Sequence, residues 1–226
     1  MKRFWNEVTV DSDGVIALDG KPVQTPRRAL LSPPTPALAE AVAAEWRAVE
    51  GELDPQAMPL TGLANAAIDL VAPDPVAFAA PLAAYGESDL LCYRADTPDD
   101  LVARQAAAWD RLLDWARCRY DVHFEVTNGI MHQPQSAPTI ARLGDAIAAR
   151  SAWELAPLSP IVTITGSLVG ALALVEGAVD GTTLWNAAHL DEIWQAEQWG
   201  DDPLAIDARA ARRRDYDAAV RFLSLV

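Results

Sequence analysis

The stretch from Leu158 to Val175 constrains this chain more than any other, because it is mostly apolar and carries Gly166 and Gly170 at the spacing of a membrane helix-dimer motif. Either it spans a bilayer or it is the innermost element of a globular fold. Ser159, Pro160, Thr163, Thr165 and Ser167 interrupt it, it lacks basic flanks, and it is the only such run in an acidic chain. Stable membrane insertion is therefore rejected. With Ser159 as N-cap, Pro160 at the first helical position and Gly177 just beyond the end, the run predicts a single central helix buried on nearly all sides.

The pattern around this run changes along the chain. From Phe4 to about Pro26, Val8 and Val10 alternate with polar neighbours, and Val15 to Leu18 lies between the tight-turn dipeptides Asp13-Gly14 and Asp19-Gly20, which predicts a small β-meander. Thr35 is placed to cap a helix starting at Pro36 and running through Trp46 to Gly51, and Leu60 to Asp69 again has helical spacing. Beyond Pro73-Asp74-Pro75, helical spacing recurs near 75–84, 101–119, 138–149, 158–175, 183–199 and 203–225, with a short strand expected at His123–Thr127. The fold class is α+β. Residues 1–80 are expected to form a small N-terminal domain of β-meander plus helices, and residues 81–226 a mainly α-helical domain.

Charge and cysteine content exclude several roles. A net charge of −14 and a pI near 4.5 repel both a phosphate backbone and an anionic membrane at long range, so nucleic acid is not a partner. Cys92 and Cys118 are far apart and belong to no Cys-x-x-Cys or Cys/His cluster, which argues against a disulfide framework or a zinc site. The start, Met1-Lys2-Arg3-Phe4-Trp5-Asn6, lacks the apolar stretch of a secretory signal. A cytoplasmic protein is expected.

No reactive constellation emerges. Gly166-Ser167-Leu168-Val169-Gly170 has neither the lysine of a phosphate loop nor the spacing of a nucleophile elbow. His123, His132 and His189 are widely separated, and no second Glu/His pair joins His189 and Glu192, so these two read as a surface hydrogen bond or a solvated pair. Asp99-Asp100 and Asp201-Asp202 precede helical segments, where acids favour the positive end of the helix dipole. Ser88 or Asp89 caps a turn that sends Leu90, Leu91 and Tyr93 into the core, Cys92 has no evident base, and Arg212-Arg213-Arg214 lies among Asp207, Asp215 and Asp217 as ion-pairing surface. No catalytic residue, metal or cofactor is assigned.

The last third remains. Asp191, Glu192, Trp194, Gln195 and Trp199 combine acids with tryptophans and no nearby reactive group, which suggests a partner-binding surface. The same spacing also fits a buried stripe of Trp185, Leu190, Ile193 and Trp194 with the acids on the wet face, so both readings stand. Reversing the charge of Asp191 or Glu192 is expected to weaken partner binding while leaving the fold nearly intact.

Several ordered segments carry a resemblance: Leu18-Asp19-Gly20-Lys21-Pro22-Val23-Gln24-Thr25-Pro26, Glu45-Trp46, Met58-Pro59-Leu60-Thr61, Asp89-Leu90-Leu91-Cys92-Tyr93-Arg94, Trp109-Asp110, Gly166-Ser167-Leu168 and Asp191-Glu192-Ile193-Trp194-Gln195 with Trp199-Gly200. Together they resemble the assembly chaperones that escort the alpha subunit of F-type ATP synthase. The resemblance spans nearly the whole chain. It implies a small β-containing domain followed by a helical one, no catalysis and no cofactor. It also implies that the partner is unassembled alpha subunit, whose beta-facing surface the chaperone shields. The family's important acid falls on Asp191 or Glu192, and mitochondrial relatives carry an import presequence where this chain begins almost at its first strand, which points to a bacterial-type member. Two other readings stand beside it: a metal-dependent hydrolase built from His189, Glu192, Asp191 and Asp89, and a general peptide-binding adaptor.

Overall fold

Turn chemistry sets the first sheet in the computed structural model, which describes residues 2–200 and 202–226. Asp19 and Gly20 both take positive φ, 48° and 76°, the backbone that a two-residue type I′ hairpin requires. They join β2 (Ile16–Leu18) to β3 (Lys21–Pro22). The Asp19 carboxylate also accepts from the N–H groups of Asn6 and Glu7 at 3.0 and 2.9 Å, which fixes the approach to β1 (Val8–Val10). At the preceding turn Asp11 accepts from Asp13 and Val15, both at 2.9 Å. The strands form the expected antiparallel meander in the order β1-β2-β3, with Val8 opposite Leu18 and Val10 opposite Ile16.

One compact unit comprises the chain up to Phe78, Ser151–Leu158 and Asp215–Val226. Thr35 caps α1 (Pro36–Ala48) by accepting from Leu38 N–H at 3.1 Å, as its sequence predicts. Leu38, Val42 and Trp46, one turn apart, bury against Ile16, Leu31, Leu60 and Phe222. The next helix, α2 (Pro59–Ala66), starts at Met58, which has no side-chain cap of its own. Glu45 of α1 supplies it, accepting from the N–H groups of Leu60 and Thr61 at 2.8 and 2.7 Å. A carboxylate from another helix thus satisfies donors that α2 leaves without an intrahelical partner. The helix continues as a π-helical turn, Ala67–Val71, which places buried Asp69 against the Thr25 hydroxyl at 2.7 Å.

The second unit comprises Ala79–Arg150 and Ser159–Arg214. After α3 (Pro75–Ala83), its main elements are α4 (Asp99–Tyr120), α5 (Ala137–Ala148), α7 (Leu168–Val175), α8 (Gly181–Ala188) and α9 (Leu190–Trp199). Trp109, Leu113, Leu143, Ile147, Leu172 and Leu184 are buried in it. Glu176, just past α7, accepts from Arg119 and Tyr120 of α4 at 2.5 and 2.8 Å and pairs with Arg150 at 2.5 Å, and these donors hold its carboxyl below the usual range against the opposing effect of burial.

Three expectations need correction. The apolar run is two helices: α6 (Ala152–Thr165) begins well before Ser159, so Pro160 is inside it. Its start is a capping box in which Ser151 and Glu154 each accept from the other's backbone N–H, at 3.2 and 2.9 Å. Gly166 then takes φ 66° and Ser167 caps α7 by accepting from Gly170 N–H at 2.9 Å, which breaks the helix. Only the end at Gly177 is where the sequence placed it.

The 183–199 helix is likewise divided, with His189 between α8 and α9. The expected strand at His123–Thr127 shrinks to β5 (Thr127–Asn128), parallel to β4 (Tyr93–Arg94). Side chains take the ladder's place upstream: Thr139 bonds both backbone groups of His123, and the Gln135 amide bonds both of Glu125. The last helix, α10 (Pro203–Leu223), follows Asp202; Asp201, like Met1, lies outside the described residues.

Candidate partner-binding site

Asp191 and Glu192 sit in the first turn of α9, where the helix dipole favours acids. Each is already engaged. Asp191 Oδ1 accepts from the Gln105 side chain at 2.7 Å. Gln105 of α4 is 1% exposed, and its own oxygen accepts from Ala95 N–H at 2.8 Å. Glu192 faces Arg212 at 2.9 Å and Arg209 at 3.5 Å. The triplet arginine thus pairs with α9, while Arg213 lies over the Trp185 ring at 4.9 Å.

Trp194 is 8% exposed, and its indole N–H donates to Asp100 at 2.9 Å, a bond that lowers the Asp100 pKa. A third link joins the same helices, Arg104 to Glu197 at 2.6 Å. Three polar contacts therefore fasten α9 to α4. Among the five predicted residues, only Gln195 and Trp199 are exposed; Trp199 is 75% exposed and meets Trp194 edge-on at 5.5 Å. The buried-stripe reading holds for Trp185 and Trp194, whereas Leu190 and Ile193 are half-buried.

Gly200, at φ 82°, ends α9. The chain then returns in α10, whose Leu204 is 77% exposed. Between the helices lies a cleft of about 350 Å³ lined by Trp199, Gln195, Ala205 and Ala208, with Glu192 and Arg212 among its charged residues. Two large apolar side chains, Trp199 and Leu204, are thus exposed on either side of the α9–α10 junction, Trp199 beside an ion-paired cleft. Sequence reasoning missed Gln105, whose isolated amide carries no pattern, and Leu204. An exposed leucine in the first turn of a charged helix was the available signal for the latter.

His189 departs from its expected surface role. It is buried, its ring stacks on Trp185 at 3.7 Å, and Nδ1 lies 3.0 Å from the Trp185 carbonyl oxygen. Burial pushes its pKa below the ordinary histidine value, so it is neutral at pH 7. Asp89 is fully buried, accepts from Leu91 and Val169 N–H at 3.1 and 2.9 Å, and is pushed up to about 6 by that burial. Among the described residues no three His, Cys, Asp or Glu side chains converge on a point where a metal could sit.

Asp191, Glu192 and Trp194 thus bind other parts of the chain while Trp199 and Leu204 are left in water, in a protein of the α+β class. The sequence profile of the ATP12 chaperone protein matches residues 2–117, and the chain belongs to that family. It is 40% identical to Atp12 from Paracoccus denitrificans, with a TM-score of 0.92 over 99% of this chain and 97% of that one. The structure of an aspartate-to-lysine mutant of that protein matches to the same extent. A protein described as a candidate chaperone from Agrobacterium tumefaciens also matches at 40% identity and TM-score 0.92, over 99% of this chain and 85% of that one. The role common to the family is ATP synthase assembly.

Proposed function

We propose that the protein is a non-enzymatic chaperone that binds unassembled alpha subunit of F-type ATP synthase and shields its beta-facing surface in the cytoplasm. A subunit interface of an obligate complex is large and apolar, so an orphan subunit is prone to aggregate until that surface is covered. The observation that carries the reading, beside family membership, is the exposure of Trp199, at the end of a helix otherwise fastened to α4, and of Leu204 in the first turn of α10. Gln195 and Trp199 supply contacts, Glu192 lines the adjoining cleft, and Asp191 and Trp194 hold α9 in position. Free, exposed Cys118 suits a reducing compartment. An acidic surface gives fast and selective association, while a small apolar contact keeps affinity below that of the final assembly, so release follows.

The test is co-purification with alpha subunit and, separately, with beta subunit from the same organism, for wild type, Trp199→Ser and Leu204→Asp. Selective capture of alpha that the two variants weaken is expected. Capture of neither subunit by wild type, in a buffer where alpha and beta assemble, would remove the reading. Equal capture of unrelated unfolded proteins would favour the general peptide adaptor.

A further inference from the structure

The second unit has another open apolar surface, on α4 and the α8–α9 pair. Two adjoining hollows of about 410 and 600 Å³ share Ala107, Ala108, Arg111, Asn186 and Leu190 and so form one groove. Trp115 lines one hollow and Ile193 the other. From Arg104 to Trp115 the α4 wall runs about 16 Å, or three helical turns, at about 1.5 Å per residue. Alanines at 107 and 108 let a second backbone approach closely, while Leu190, Ile193 and Trp115 give it apolar surface to bury.

The groove's charge is opposite in sign to that of the protein as a whole. Arg111 is exposed beside Ala107 and Ala108, and it makes no ion pair among the described residues. The acids next to it on α4 are taken: Asp110 pairs with Arg94 at 2.8 Å and Asp114 with Arg117 at 2.7 Å. The other arginine of the groove, Arg104, is held by Glu197. In a chain of net charge −14, an unpaired guanidinium at the edge of an apolar groove selects a ligand carrying a carboxylate.

We propose that this groove docks an amphipathic helix of the client subunit, its apolar stripe against Ala107, Ala108, Leu190 and Ile193 and an acidic side chain on Arg111. Apart from Ala178 and Val179 of the α7–α8 connection, helices line the groove and, among the described residues, no strand edge does, so the ligand enters as a helix in a groove rather than as an added strand. The proposal rests on the chaperone reading and gives the client a second contact besides Trp199 and Leu204.

Binding of purified alpha subunit to wild type, Ala108→Trp and Arg111→Glu, measured by titration calorimetry, tests it. Ala108→Trp fills the groove and Arg111→Glu reverses its charge; each is expected to weaken binding at least about tenfold, with the circular-dichroism melt unchanged. If Ala108→Trp melts early, the exposed Arg111→Glu decides alone. Wild-type binding with both folded variants within about twofold of it overturns the groove and leaves the chaperone reading standing. No binding by wild type removes both. If sedimentation shows that the groove variants only abolish a self-dimer, a second copy of this chain is the occupant, and the client proposal is overturned.

Discussion

Replacing Asp191 by lysine separates a structural acid from a recognition acid. In the structure the Asp191 carboxylate accepts from the amide of Gln105, which is buried and already committed through its oxygen to Ala95. Lysine removes this charge-assisted bond and leaves a buried N–H without an acceptor, facing a second donor. A hydrogen bond to a charged group contributes about 1.5–3 kcal/mol, and with Asp191 half-buried we expect a loss of about 2–3 kcal/mol. For a chain of this size about 1 kcal/mol moves the melting midpoint by about 2–4 °C, so the midpoint should fall by about 4–12 °C. Asp191→Asn keeps an acceptor and should cost about 1 kcal/mol. Gln195→Lys, on the exposed face, should stay within about 0.5 kcal/mol of wild type. Thermal unfolding followed by circular dichroism reads all three. An Asp191→Lys midpoint indistinguishable from that of Gln195→Lys would refute the reasoning and return Asp191 to the role of a free surface charge.

Other outcomes follow from buried groups. Burial, with Asp89 nearby, pushes the Cys92 thiol up to about 12, whereas Cys118 is exposed, so Ellman's reagent should modify one thiol in the native protein and the second only on unfolding. Burial depresses the His189 pKa, so its contribution to stability is present above the unfolded value near 6.5 and lost as pH falls through the lower folded value. The drop in urea midpoint from pH 7 to pH 5 should therefore be smaller in His189→Phe than in wild type. A Cβ on Gly170 would lie 2.5 Å from Leu184 Cδ1, so Gly170→Ala should destabilise by about 1–3 kcal/mol although alanine favours helices. Gly62→Ala in α2 meets nothing within 4 Å and should stabilise by up to about 1 kcal/mol; equal denaturation midpoints for the two would contradict this account.

Local signals in the sequence were sound where local chemistry decides. Asp19-Gly20 specified its hairpin, Thr35 its cap and Gly177 its helix end, because each acts through backbone groups at most a few residues away. The apolar run misled for a related reason. Its stop and restart are Gly166 and Ser167, and Gly166 also reads, with Gly170, as a helix-packing motif; positive φ at Gly166 distinguishes the two. Close approach is indeed what Gly170 provides, against Leu184 of α8 within the core. The site was less legible: the spacing of α9 located Trp194 and Trp199 but not which acids were free, since Asp191, Trp194 and Glu197 are bound by residues of α4 far away in sequence.

That division of labour has a physical basis. A side chain such as Trp199 or Leu204, left mostly in water, gives its own fold little of the burial that normally fixes a helix in place. A helix that presents such residues must be held by other means, or binding would also have to order it. Here the opposite side of α9 is fastened by Gln105–Asp191, Asp100–Trp194 and Arg104–Glu197, and Glu192 joins it to Arg212 of α10. On the proposed reading these acids preorganise the contact without making it. A partner would then lose affinity when Trp199 is truncated in a fully stable protein, but when Asp191 is reversed it would lose affinity only in step with the lost stability.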